Sequence, residues 1–205
     1  MKNKSIEIIS PLGYEEKSKF ETKSILWSLD DKNITAKDRI VFERDNITII
    51  AGSMKADTEL EKMLLQNSPF AVIRNKGLPD IKVRAKEFEV NARTGYLSAG
   101  GAAELVRGEL LIKSDEIAFD AKDNILFAKG GARITYKDIS AVCLLAQYNI
   151  RKDAVSLLKG VSLKRGGNEL NGDKIDINLK DDTISIKGRR SRVVIEEDLL
   201  SSEAK

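Results

Sequence analysis

Along much of the chain, apolar and polar residues alternate from one position to the next. The clearest stretch is residues 166–188, GGNELNGDKIDINLKDDTISIKG, in which Ile175, Ile177 and Leu179 alternate with Asp176, Asn178 and Lys180. A Lys-Asp-Asp break follows, then Ile184 and Ile186 alternate with Thr183, Ser185 and Lys187, and Gly188 closes the stretch. Such alternation across a polar break predicts an amphipathic β-hairpin. A lone hairpin is at best marginally stable in water, so its apolar face must lie against something.

The pattern recurs. AQYNIRKDAVSLLKG ends at Gly160, SDEIAFDAKDNILFAKG at Gly130, AKEFEVNARTGYLSAG at Gly100 and AKDRIVFERDNITIIAG at Gly52. The five closing glycines are 48, 30, 30 and 28 residues apart. A period near 30 marks a repeat architecture in which each unit stacks its apolar side on its neighbours. Between the hairpins lie AAELVRGELLIK, ARITYKDISAVCLL, VSLKRGGNEL and RSRVVIEE. Charged residues interrupt them too often for a helical stripe. The expected fold is all-β and antiparallel, with the glycines supplying tight corners at the repeat ends.

The interval from Gly52 to Gly100 is about eighteen residues too long. Its surplus includes DTELEKMLLQNSP, where Thr58 and Glu61 have capping-box spacing, Leu60, Met63 and Leu64 form a short stripe, and Pro69 stands as a stop. Within an insertion at 53–80 this predicts a short helix. The domain reading is an N-terminal arm at 1–23, a single β domain at 24–198 and a flexible tail at 199–205.

Composition removes many chemistries. Of the 205 residues 41% are hydrophobic and 33% charged, which suits a folded chain with a busy surface. With 35 basic and 32 acidic residues the charge is +3, too balanced to argue for nucleic acid. There is no histidine, so the commonest general base and metal ligand is missing. The single Cys143 lies in the apolar run SAVCLLAQY and reads as a small buried hydrophobe. Asp115, Asp123, Asp153, Asp173, Asp181 and Asp182 recur at turns and strand starts, where Asp shapes the backbone. KGG, AGG and RGG are not phosphate loops, because none opens a helix behind the required glycine pattern. No enzymatic activity, metal or cofactor is expected. No run reaches the roughly 18 apolar residues of a membrane span, and MKNKSIEIIS lacks the apolar segment of a secretory signal.

What remains is the apolar face. The alternation assigns to it Ile40, Phe42, Phe88, Val90, Ile117, Phe119, Ile125, Phe127, Ile134, Tyr148, Ile150, Val155, Leu157, Ile175, Ile177, Ile184 and Ile186. Periodicity leaves two readings open: a dry core between two layers about 10 Å apart, or a groove that admits an acyl chain.

The repeat unit, especially SDEIAFDAKDNILFAKGGARI and GVSLKRGGNELNGDKIDINLKDDTISIKGR, resembles the OstA-like domain of the lipopolysaccharide-transport bridge proteins. The resemblance covers roughly residues 24–196. The first repeat, SILWSLDDKNITAKDRIVFERD with Trp27 and Leu29, looks more like the start of the inner-membrane-anchored member, LptC; the later repeats also suit the soluble member, LptA. The resemblance implies a twisted, incompletely closed β-jellyroll whose sheets form a V around lipopolysaccharide acyl chains. It also implies a periplasmic location, with an anchor upstream if the chain is of the LptC type, which would then meet the inner-membrane transporter complex. Partners would be related jellyroll proteins paired edge to edge. The edge candidates are Trp27 and Leu29 at one end and Val193, Val194 and Ile195 in RSRVVIEED at the other. The rival is a structural β-repeat protein with a dry core and no lipid cargo.

Overall fold

The alternating segments form strands, and the strands form one antiparallel sheet folded into two layers. The computed structural model describes residues 4–9, 17–28, 30–187 and 192–194, with side chains for 18–28 and 30–186. In chain order the strands are β1 (Lys4–Ile9), β2 (Lys17–Thr22), β3 (Ser24–Ser28), β4 (Asn33–Arg44), β5 (Ile47–Asp57), β6 (Lys62–Gln66), β7 (Phe70–Ile73), β8 (Ile81–Arg84) and β9 (Glu87–Asn91). Then follow β10 (Tyr96–Arg107), β11 (Leu110–Asp120), β12 (Ile125–Tyr136), β13 (Ile139–Asn149), β14 (Ala154–Arg165), β15 (Asn168–Asn178), β16 (Thr183–Lys187) and β17 (Arg192–Val194). Among the described residues there is no helix.

The long strands β4, β5 and β10–β15 each give one limb to each layer. Mid-strand, the ladders β4–β5, β10–β11, β11–β12, β12–β13, β13–β14 and β14–β15 all shift register. Consecutive left-handed residues sit at these bulges: Asp38–Arg39, Gly101–Ala102, Gly130–Gly131 and Lys159–Gly160, with Asn67–Ser68 at the break between β6 and β7. A bulge bends a strand and increases its twist, so a column of bulges creases the sheet. Shorter strands meet the same line in pairs. β7 and β6 pair with the two halves of β5, β8 and β9 with those of β10, and β17 and β16 with those of β15.

This corrects four expectations. The recurring glycines lie at the middle of bent strands rather than at repeat ends. The bends at Asp38 and Asn67 are 29 residues apart, as are those at Gly101, Gly130 and Lys159, but Asn67 and Gly101 are 34 apart. The true surplus is therefore five residues, because Gly52 lies on a strand running opposite to those of Gly100, Gly130 and Gly160. Those five residues sit in the β7–β8 connection, residues 74–80, where the other connections along that side have two residues. The expected helix is a turn followed by a strand. The Asp57 carboxylate accepts from the Glu61 and Lys62 amides at 2.8 and 3.1 Å, Leu60 is left-handed, and Met63 and Leu65 then point inward. The segment 1–23, expected as an arm, carries β1 and β2. β2 pairs with β4, and Phe20, opposite Phe42, is fully buried. The expected tail at 199–205 lies outside the described residues.

The bend at Gly130 gives a test. A Cβ there would lie 2.5 Å from Asp115 Oδ2 and 2.7 Å from Asp115 Cβ, whereas one at Gly131 meets nothing within 4 Å; both residues have φ near +80°. Gly131→Ala should cost only the left-handed penalty, roughly 1–2 kcal/mol. Gly130→Ala should cost clearly more, read as a larger drop in the urea midpoint at unchanged m-value.

Candidate functional site

Folding at the crease places the inner faces of the two layers against each other. In the first layer one row of cross-strand neighbours runs Ile25, Ala36, Met54, Leu65, Phe88, Ala99, Ile117, Ala128, Ala146, Leu157, Ile175 and Ile186. A second row beside it includes Trp27, Met63, Val90, Leu97, Phe119, Leu126, Tyr148, Val155, Ile177 and Ile184. The facing layer carries Phe20, Phe42, Ile49, Ala71, Val83, Leu105, Ile112, Ile134, Ala141, Leu163 and Leu170. Apart from the exposed Trp27, these residues form one apolar cluster along the length of the molecule.

Most residues expected on the apolar face are there. Phe88, Val90, Ile117, Phe119, Tyr148, Leu157, Ile175 and Ile177 are buried in the first layer, Ile40, Phe42 and Ile134 in the second, and Ile150 lies buried in the β13–β14 turn. Ile184 and Ile186 are in the inner rows but half-buried, because β16 is the last strand on that side. Ile125 and Phe127 are a correction: they point outward, opposite Asp120 and Ala118 on β11, and Leu126 takes the inward place between Phe119 and Tyr148. Three contiguous apolar residues, Ile125–Leu126–Phe127, carry no phase of their own, and a one-residue slip exchanges the faces. The pairing partner decides it.

At one end β3 pairs only with β4 among the described strands, leaving Leu26 70% and Trp27 57% exposed. β16 and β17 end the two layers at the other side, and Val193 and Val194 lie in β17. Leu29 and Ile195 fall outside the described residues.

Opposite the crease, the turns of the two layers face each other along a seam. In the first layer the turns stack directly: the Ala92 amide donates to Glu61 O, Ile150 to Asn124 O and Leu179 to Asp153 O. Polar clasps cross the seam between layers. Arg44 donates to the Ala92 carbonyl. Arg107, at the end of β10, meets Asp153 of the β13–β14 turn at 2.7 Å, and the Tyr148 hydroxyl donates to the other Asp153 oxygen at 3.0 Å. Both members of that ion pair are more than nine-tenths buried. Farther along, the Tyr136 hydroxyl is 2.6 Å from Asp182 Oδ1, and Lys137 donates to Asp182 Oδ2.

These surroundings shift the titrating groups. Burial pushes the Tyr148 phenol far above its usual range, and burial likewise raises the Cys143 thiol. The hydrogen bond from Lys137, then that from Tyr136, holds the Asp182 carboxyl below the ordinary carboxylate range. Two clefts open at the turns. One of about 660 Å³ at the end of the first layer is edged by Asp57, Lys62, Leu64 and Tyr96. The other, about 530 Å³, lies in the seam and reaches Phe119. Among the described residues no group of three His, Cys, Asp or Glu gathers to hold a metal.

Strands bent at a shared crease and apolar within define the class as a β-jellyroll of stacked hairpins. A family model described as LptA/(LptD N-terminal domain) LPS transport protein matches residues 82–183. Through that stretch the chain is similar to the lipopolysaccharide-transport family that the model describes. The crystal structure of LptH from Pseudomonas aeruginosa, titled the LptA homologous periplasmic component of the conserved lipopolysaccharide transport device, superposes with a TM-score of 0.53 at 18% identity. The match covers 57% of this chain and 94% of that one, and it shows the shared fold. No curated protein sequence matches the chain.

Two clasps can be tested. Removing one partner of a buried pair leaves a desolvated charge, so Arg107→Met or Asp153→Leu alone should cost about 3–5 kcal/mol, and the double variant much less. A double-mutant cycle in urea measures the difference. For Asp182 the folded carboxyl titrates below the unfolded one, so its stabilisation is complete above the ordinary carboxylate range and is lost as pH falls through the depressed value. Wild type should therefore exceed Asp182→Asn in melting temperature at neutral pH, and the gap should close in strong acid.

Proposed function

We propose that the protein is a non-enzymatic carrier in the lipopolysaccharide bridge between inner and outer membranes, working in the periplasm and shielding acyl chains between its two layers. The observation that carries this reading is the continuous apolar interior, two rows deep in the first layer and faced by another across the fold. Each CH₂ held in water costs about 0.8 kcal/mol, so a chain of a dozen carbons costs on the order of 10 kcal/mol unshielded. An aliphatic trough removes that cost without directional bonds. Its rows repeat every 29 residues from Gly101 to Lys159 with similar residues, so a chain moving along them meets similar surroundings at each rung. Such evenness suits a cargo that must be passed on.

The ends support continuation into a neighbour. Trp27 belongs to an inner row yet is more than half exposed, and Ile184 and Ile186 are half-buried, because among the described residues no further strand covers them. A related jellyroll adding its edge to β3, or to β16 and β17, would cover these residues and extend the trough. Trp27, Leu29, Val193, Val194 and Ile195 are the docking residues in this reading. Outward-facing Ile125 and Phe127 have no part in shielding cargo; the inward Leu126 does.

A small diazirine amino acid at Ile177, illuminated with lipopolysaccharide present, should give a lipid adduct. The same probe at outward Phe127 should give none. Absence of any adduct at Ile177, with normal adducts in an established bridge protein treated alike, would count against the carrier and favour a dry structural core.

A further inference from the structure

Three clasps along the seam share one offset, a fourth contact from Arg165 to the Asp182 carbonyl closes the end of the seam with a shorter one, and one interval lacks its clasp. The β4–β5 turn is joined to the β9–β10 turn through Arg44, the β10–β11 turn to the β13–β14 turn through Arg107, and the β12–β13 turn to the β15–β16 turn through Tyr136 and Lys137. The same offset sets the β7–β8 connection against the β11–β12 turn. Among the described residues no hydrogen bond or ion pair joins these two. The β7–β8 connection is also the one with five extra residues, so the break in the chain's 29-residue period coincides with the break in the clasps.

The seam cleft of about 530 Å³ borders this interval, between the Arg44 clasp and the β11–β12 turn, and no residue of the β7–β8 connection lines it. It runs from the β4–β5 and β9–β10 turns to the β11–β12 turn and reaches Phe119 of the inner row. Its charged lining is Arg44, Arg93 and Lys122 against a single acid, Asp45. Arg93 lies 3.7 Å from Glu61 and is more than half exposed. The Asp120 carboxylate beside Lys122 is occupied by the backbone amides of Lys122 and Asp123. Cations at the mouth and an aromatic side chain at the floor match a lipid whose phosphorylated headgroup carries acyl chains.

We propose that the cleft beside this unclasped interval is a lateral portal, through which an acyl chain reaches the interior at Phe119 while its headgroup phosphate rests on Arg93 and Lys122. The proposal rests on the carrier reading and adds where the cargo crosses the wall. At Arg44, Arg107 and Tyr136 the clasps keep the lips together, so a chain that has entered is held at those intervals.

The test follows loading in time, using phosphatidylcholine vesicles that contain bisphosphorylated lipid A. Diazirine amino acids are placed singly at Thr94 in the portal lining, Glu109 beside the Arg107 clasp and Ile177 in the interior. The expected result is an adduct at Thr94 that precedes the one at Ile177, with little at Glu109. Charge reversal at the exposed rim, Arg93→Glu with Lys122→Glu, should slow interior labelling about tenfold and leave loading of dephosphorylated lipid unchanged. Labelling at Ile177 without prior labelling at Thr94, or insensitive to the charge reversal, overturns the portal while the carrier reading stands. No labelling at Ile177 in the otherwise unaltered protein overturns both. Should the Ile177 probe prevent folding, the half-buried Ile184 provides the interior readout.

Discussion

Everything in this molecule depends on a bend placed in the middle of each strand. A flat antiparallel sheet of these sequences would expose an apolar face on one side throughout. Paired left-handed residues such as Gly101–Ala102, Gly130–Gly131 and Lys159–Gly160 fold it along one line, and the two halves of the same strands then bury each other. Most non-glycine residues resist that backbone region, so the glycines recur where the fold demands them. Where the chain uses Asp38–Arg39 or Asn67–Ser68 instead, the strain is carried by residues that include the tolerant Asp and Asn.

The strands themselves were legible, and the line where they bend was not. Alternation identifies strands wherever apolar residues stand singly, as in Ile175–Leu179, and the inward assignments there agree with the structure. It fails at Ile125–Leu126–Phe127, where both faces of β12 are apolar and only pairing with Phe119 and Tyr148 fixes the phase. The glycines gave the period but not their place in it, because a glycine suits a corner and a mid-strand bend equally well. The supposed helix near Thr58 failed for a local reason. Asp57 caps the turn with its own carboxylate, and Met63 and Leu65 then alternate as a strand although Leu60, Met63 and Leu64 also fit a helical stripe.

The seam was invisible in the sequence because its members are far apart in the chain. Arg107 and Asp153 are separated by 46 residues, as are Tyr136 and Asp182. Each is a turn or strand-end residue of an ordinary type. What brings them together is the crease, which sets turns of the two layers face to face with a fixed offset. A residue read as a turn former, Asp153, thereby becomes one half of a buried ion pair. The sequence signal that did survive is the interrupted period, since five extra residues in one turn displace that rung from the regular succession.

In the proposed carrier, polar clasps suit a wall that would have to part. A buried ion pair adds little net stability, because the desolvation of its charges offsets their attraction. When the lips separate, Arg107 and Asp153 regain water, and that hydration recovers much of what the broken contact loses. Lips closed by aliphatic side chains would instead expose apolar area at about 25 cal/mol per Å², with nothing recovered. In the proposed carrier the interior rows would supply the non-directional hold on a hydrocarbon, and the seam a closure whose opening costs little and whose pairing fixes its register. Separating the two tasks would let cargo be gripped along its length without the wall itself becoming a barrier to its passage.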